Sequence, residues 1–191
     1  MRYRPEHKAE VHANIVKDAS RRIRNEGLKG AEVASVMRDN RLTHGGFYKH
    51  FANKEELLIE SLQSAFREIT SILAIAAQQA PAKTAWKAIV TTYLSPQYRD
   101  HIELGCPLTA LAPELARADK RIKQQILAEL VNYKAQMQRF MPGRTAHARE
   151  RAFFSIFSTL IGAVQLARLM PDPQMREKVL AIARDSLLKN F

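Results

Sequence analysis

The sequence predicts an all-α protein in which three short helices form a helix-turn-helix unit at the N-terminus and a long fourth helix joins it to a larger helical body. Three observations predict it. Only 7 glycines and 8 prolines punctuate the 191 residues. Between them, apolar residues recur at spacings of three and four, with none of the sustained alternation that a half-buried strand needs. At 46% hydrophobic residues, the chain has enough apolar surface for a packed core. No internal repeat, low-complexity stretch or flexible linker interrupts this pattern.

The first helix follows from Pro5, which suits a first turn, and from Val11, Ile15, Ala19 and Ile23, which lie on one face. Gly27 is placed to end it with a positive φ. A short helix over 31–38 buries Val33, Val36 and Met37. A tight turn through Asp39, Asn40 and Arg41 leads to a third helix opened by Thr43. Asn53 followed by Glu56 has the spacing of a capping box. The apolar series Leu57, Leu58, Leu62, Phe66, Ile69 and Leu73 then carries the fourth helix to Gln79, before Pro81. Further helices are expected over 83–94, 108–117, 120–140, 146–170 and 174–190, with Pro96, Pro107, Pro142, Pro171 and Pro173 at the breaks. The division expected is 1–53 for the N-terminal unit and 54–191 for the body.

Charge narrows the partners. Lys and Arg number 30 against 19 Asp and Glu, a net +11, and the density is highest at the N-terminus, where residues 1–54 carry 12 basic against 6 acidic side chains. A polyanion, nucleic acid or an anionic membrane, is the expected partner. The single cysteine, Cys106, excludes an intrachain disulfide and a four-cysteine zinc site, which fits a reducing compartment, by default the cytoplasm. The N-terminal MRYRPEHKAEVH has no apolar core of the secretory kind. The longest uncharged run, residues 152–167, is 16 residues, short of the roughly 20 apolar residues that span a bilayer; it reads as a buried helix, and no membrane partner is expected.

The chemistry-bearing segment is Leu42-Thr43-His44-Gly45-Gly46-Phe47-Tyr48-Lys49-His50-Phe51-Ala52-Asn53-Lys54-Glu55-Glu56. Two adjacent glycines oppose a helix by about 1 kcal/mol each relative to alanine, and such a conflict between propensity and fold marks candidate function. Absent side chains at Gly45 and Gly46 would let the backbone approach a base edge or a phosphate. His44, Tyr48, Lys49 and Lys54 offer the polar groups, and the unpaired N–H groups at helix starts add phosphate donors. Phe47 and Phe51 read as inward anchors, and His50, taken alone, reads as a core residue.

These residues resemble the TetR family of transcriptional regulators, whose DNA-binding domain ends in a glycine-tolerant recognition helix, an aromatic-Tyr-x-His-Phe stretch and a Lys-Glu pair. Here Phe47-Tyr48-Lys49-His50-Phe51 and Lys54-Glu55 carry the likeness, which extends over residues 8–62. The resemblance implies that Thr43, His44, Gly45 and Lys49 face DNA, that Tyr48 and Lys54 hold phosphates, and that His50 closes the helix. Two departures stand out. Ala31 and Glu32 replace the Thr or Ser cap the family often has, and Arg41 replaces its turn glycine, for which Asn40 is the expected left-handed substitute.

For the body, the resemblance implies a homodimer through the last two long helices and a pocket whose small-molecule effector changes the spacing of two reading heads, giving a repressor on a pseudo-palindromic operator. The run Phe153, Phe154, Ile156, Phe157, Leu160, Ile161, Val164 and Leu166 is apolar all round, and Gly162 would permit a close partner. Trp86, Tyr93, Tyr98, Cys106, Tyr133, Met137 and Phe154 are candidate ligand contacts, with ordinary core as the alternative. Gly105-Cys106-Pro107 is similar to a Gly-Cys-Pro turn of one branch of the family, in which some members use the cysteine to sense electrophiles. The helix start after Pro107 would lower its thiol pKa.

The rival class is a cysteine-dependent enzyme with Cys106 as nucleophile and His101 as base, although no orienting group or oxyanion motif accompanies them. No metal or cofactor is expected. His7, His12, His44, His50, His101 and His147 form no i, i+4 pair.

Overall fold

Nine α-helices and four 3-10 turns make up the computed structural model, which describes residues 5–191. The helices are α1 (Pro5–Glu26), α2 (Val33–Asp39), α3 (Lys54–Gln79), α4 (Ala85–Tyr93), α5 (Pro96–Asp100), α6 (Pro107–Arg117), α7 (Lys120–Gln138), α8 (Ala146–Leu169) and α9 (Pro173–Asn190). No strand occurs among the described residues. The start of the stretch read as lacking a secretory core, residues 1–4, lies outside them.

Side-chain caps set the starts of the four longest helices after α1. Asn53 accepts from the Glu56 N–H at 2.9 Å. The Glu56 carboxylate accepts from the N–H of Ala52, the residue before the N-cap, rather than from the N–H of Asn53 as in a reciprocal capping box. Asp119, Thr145 and Asp172 cap α7, α8 and α9 in the same way. Pro96, Pro107 and Pro173 were expected at breaks but stand at the first positions of α5, α6 and α9, where a residue without an N–H loses no helical bond. The α5 helix and the following 3-10 turn Ile102–Leu104 were not foreseen. Arg168 of α8 holds this segment by donating to the carbonyls of Tyr98 at 2.9 Å and Arg99 at 3.0 Å.

Apolar side chains gather in three clusters. Ile15, Val16 and Ala19 of α1 meet Val36, Met37, Phe47, Phe51 and Leu57 in the N-terminal unit. The body core joins α3, α4, α7, α8 and α9 around Phe66, Trp86, Tyr133, Phe157 and Leu160. Between them, Ile23 and Ala31 pack with Leu58, Leu62, Leu111, Leu115, Ile122 and Ile126, so that α6 and α7 of the body rest against α1 and α3. The junction is also polar. Glu114 of α6 accepts from the Leu28 N–H at 2.9 Å, and it passes so close to Gly27 (φ 82°) that a Cβ there would lie 2.6 Å from its Oε1. Gly27 thus meets the expected positive φ, which strains any other residue, and a Cβ there would also force the Glu114 carboxylate to shift.

The α8 helix is long and apolar enough to cross a membrane by length and composition. Its inward side chains, among them Phe153, Ile156, Phe157, Leu160 and Val164, form the body core. Phe154, Leu166 and Leu169 face outward.

Candidate nucleic-acid interface

The segment expected as a third α-helix is a 3-10 helix, His44–Lys49. Thr43 starts it, its hydroxyl accepting from the Gly46 N–H at 3.3 Å, and His50 caps its end, its own N–H donating to the Phe47 carbonyl at 2.9 Å. The tighter winding agrees with the low helix propensity of the two glycines. Phe47 and Phe51 point inward and stack with ring centroids 5.3 Å apart. His12 of α1 stacks on Phe51 at 4.6 Å while its Nε2 lies 2.7 Å from a Glu60 oxygen. This aromatic anchor fixes the segment to α1 and α3 and leaves its other face outward.

That face carries the candidate residues. Thr43, His44, Gly45, Tyr48, Lys49 and Lys54 are all exposed, and Tyr48 is 67% exposed, unusual for a large aromatic side chain. A Cβ built on Gly45 would meet nothing within 4 Å. No internal packing demands glycine there, so the cleared surface faces solvent. Gly46 is half-buried, near Thr43 and the Met37 methyl. His50 is half-buried too, and its Nδ1 is enclosed without a hydrogen-bond partner among the described residues. Burial lowers its pKa, and the neighbouring His12, Lys8 and Lys49 lower it further.

The preceding turn departs from expectation. Asn40 has an ordinary φ of −84°, and its side chain bonds the Val36 carbonyl at 2.9 Å and Asp18 at 3.2 Å. Arg41 itself takes the left-handed conformation, φ 58°. The turn closes through the Arg41 N–H to the Arg38 carbonyl at 2.9 Å and the Leu42 N–H to the Met37 carbonyl at 2.8 Å. With Asn40 held by its side-chain bonds at a helical φ, the positive φ of the turn falls at the next residue. Glu32, at the start of α2, makes no side-chain cap.

The candidate ligand contacts separate. Trp86, Tyr93, Cys106, Tyr133 and Met137 are buried in the body core, Tyr98 is half-buried, and Phe154 is 54% exposed. Trp86 packs beside Phe191, 6.3 Å between ring centroids. Tyr133 and Phe154 line an apolar groove of about 290 Å³ between α7 and α8, together with Leu127, Val131 and Phe157. The Tyr133 hydroxyl has no hydrogen-bond partner among the described residues. Burial pushes the Cys106 thiol pKa up; the neighbouring Tyr93 hydroxyl and the Leu108 and Thr109 N–H groups at the start of α6 offset this only in part. The lowered thiol pKa expected from the helix start is therefore overturned, because desolvation of the thiolate outweighs those donors. His101 is exposed, with its Nδ1 3.4 Å from Glu103, and no contact joins it to Cys106 among the described residues. A nucleophile and base pair is not assembled.

No protein-family model and no curated protein matches the chain. Solved structures do. A TetR-family transcriptional regulator from Cytophaga hutchinsonii superposes with a TM-score of 0.77 at 17% identity, covering 98% of both chains. A TetR transcriptional regulator from Chloroflexus aurantiacus gives 0.77 at 19% identity, covering 96% of both. A TetR-family regulator from Agrobacterium tumefaciens gives 0.75 at 16% identity, covering 95% of this chain and 98% of its own. Over essentially its whole length, the chain has the fold of these regulators: an N-terminal helix-turn-helix on an all-helical body.

Proposed function

We propose that the protein is a sequence-specific DNA-binding transcriptional repressor. It acts as a homodimer on a pseudo-palindromic operator and is released by a small-molecule inducer. The observation that carries this reading is the outward face of the 44–49 segment, where His44, Tyr48 and Lys49 flank a glycine whose surface is clear of the protein itself. A basic, narrow element standing proud of an aromatic anchor suits a major groove. Residues 1–53 form the DNA-binding domain and 54–191 the regulatory and dimerisation domain.

In this reading Thr43, His44, Gly45, Gly46 and Lys49 face the groove, Tyr48 and Lys54 hold phosphates, and His50 terminates the reading segment. The homodimer forms through α8 and α9. Gly162, Leu166 and Leu169 share the outward stripe of α8, with Met175 and Ile182 exposed on α9, apolar surface of the kind an obligate interface covers. The inducer enters the groove between α7 and α8, whose lining is apolar apart from Lys134, Ser158 and the tyrosine. Binding there shifts the population toward a spacing of the two heads that no longer fits successive major grooves. A soluble cytoplasmic location is part of the proposal.

Selection of bound duplexes from a random DNA pool tests it. The winner and a scrambled control are then titrated by fluorescence anisotropy, and the mass of the free protein is measured by light scattering. A palindrome bound on the order of a thousandfold more tightly than the control, by a protein of twice the chain mass, is the expected result. Equal, weak and steeply salt-dependent binding to both duplexes would reduce the basic surface to non-specific attraction and overturn the reading.

A further inference from the structure

The turn before the reading segment holds a residue that its backbone disfavours. Arg41 sits at φ 58°, where the Cβ of any L residue crowds the following carbonyl and where glycine fits best. Strain of this kind persists where surrounding structure or function requires the side chain. Packing does not require this one, because Arg41 is exposed.

Its surroundings are cationic. Arg41 lines a groove of about 420 Å³ together with Lys8 of α1, Thr43, Lys49 and His50, and no acidic residue is among the lining. Neighbouring arginines are engaged by carboxylates: Arg22 by Asp39 and Glu26, Arg24 by Glu68, and Arg38 by Asp39. Lys8, Arg41 and Lys49 have no acidic partner among the described residues. Three uncompensated cations around one concavity, beside the residues proposed to read DNA, make a seat for an anion.

We propose that Arg41, with Lys8 and Lys49, forms a seat for one phosphodiester group of the DNA backbone, and that arginine rather than glycine occupies the left-handed position of the turn to present its guanidinium to it. The inference rests on the DNA-binding reading above. It adds Arg41 and Lys8 to the interface and gives Lys49 a phosphate within reach. The planar guanidinium suits two oxygens of a phosphate. Because the contact is to the backbone, it contributes equally to every sequence.

The test compares the wild type with Arg41→Gly, Arg41→Gln and Arg41→Lys, titrated by anisotropy over a salt series against the selected operator and a mixed-sequence duplex. Thermal melts of all four proteins accompany the titrations. Loss of one phosphate contact lowers the slope of log K against log salt by about 0.9, so that between 50 and 200 mM salt Arg41→Gly and Arg41→Gln lose about threefold less affinity than the wild type. Both bind both duplexes more weakly at low salt, and Arg41→Lys keeps the wild-type slope. Arg41→Gly melts at or above the wild type, which separates lost contact from lost fold. An unchanged slope and affinity in Arg41→Gly, while the wild type binds DNA, overturns the seat alone. Absence of DNA binding by the wild type overturns the DNA-binding reading and the seat with it.

Discussion

Arg24 of α1 donates through Nη2 to a Glu68 oxygen of α3 at 2.6 Å, and the pair sits where the N-terminal unit meets the body. The guanidinium is fully enclosed and also donates to the Ser20 carbonyl at 3.1 Å, the Ser20 hydroxyl at 3.3 Å and the Gly105 carbonyl at 3.1 Å. One side chain thus ties α1 to α3 and to the turn that starts α6. Four bonds satisfy a charge that could not otherwise leave water.

Arg24→Met is expected to lower stability by about 2 to 4 kcal/mol, the range for removing one member of a buried pair, discounted because Glu68 retains some contact with water. Urea denaturation midpoints measure this. A loss below about 1 kcal/mol would mean that the methionine packs as well as the bonded arginine.

The uncapped start of α2 is a place to gain stability. Glu32→Ser supplies a hydroxyl that can accept from an orphan N–H of the first turn, and a gain of about 1 kcal/mol is expected. A higher thermal midpoint with an unchanged urea m-value is the signature. No gain would mean that this N-terminus is already hydrated.

Three side chains of the proposed interface should separate by role. Lys54→Ala is expected to weaken binding of operator and scrambled duplex alike and to reduce the salt slope by about one. His44→Ala is expected to cost about 1 to 3 kcal/mol at one operator position and to relax preference there. Lys49→Ala is expected to do both, since it borders the groove face and the Arg41 seat. Identical behaviour of all three in anisotropy titrations would count against this division.

His50 should impose a pH dependence on folding. Its native pKa lies below the ordinary value because of burial and the nearby His12, Lys8 and Lys49, so between the two values the unfolded chain binds more protons than the native one. The contribution of the neutral ring to stability is full above pH about 6.5 and is lost as pH falls through the lowered native value. His50→Gln should flatten the difference in urea midpoint between pH 7.5 and 5.5. An unchanged difference would assign the acid sensitivity to other groups.

Burial protects Cys106. Iodoacetamide at pH 8 should label the native protein on the order of a hundredfold or more slowly than the urea-unfolded chain, because reaction waits on opening of the body core. Comparable rates would place the thiol at the surface and return cysteine chemistry to consideration.

The all-α class, the long α3 and the positions of most body helices were legible in the sequence, because apolar spacing, Asn, Asp or Thr caps and proline punctuation are local signals. The same locality made Tyr48 and Lys49, between the inward Phe47 and Phe51, and Lys54 just beyond them readable as surface side chains, and all three are exposed. What local signals could not decide was decided by tertiary contacts. Propensity put the reversal at Asn40, but bonds to Val36 and Asp18 committed that residue and moved the positive φ to Arg41. A helix start beside Cys106 argued for a lowered thiol pKa, and enclosure by the body core reversed the sign. Nothing around position 24 marks Arg24 as different from its neighbours Arg21 and Arg22. Beyond Ser20 on its own helix, its partners lie 44 and 81 residues away, and only the folded chain brings such groups together, since desolvation and long-range pairing depend on what surrounds a residue in space.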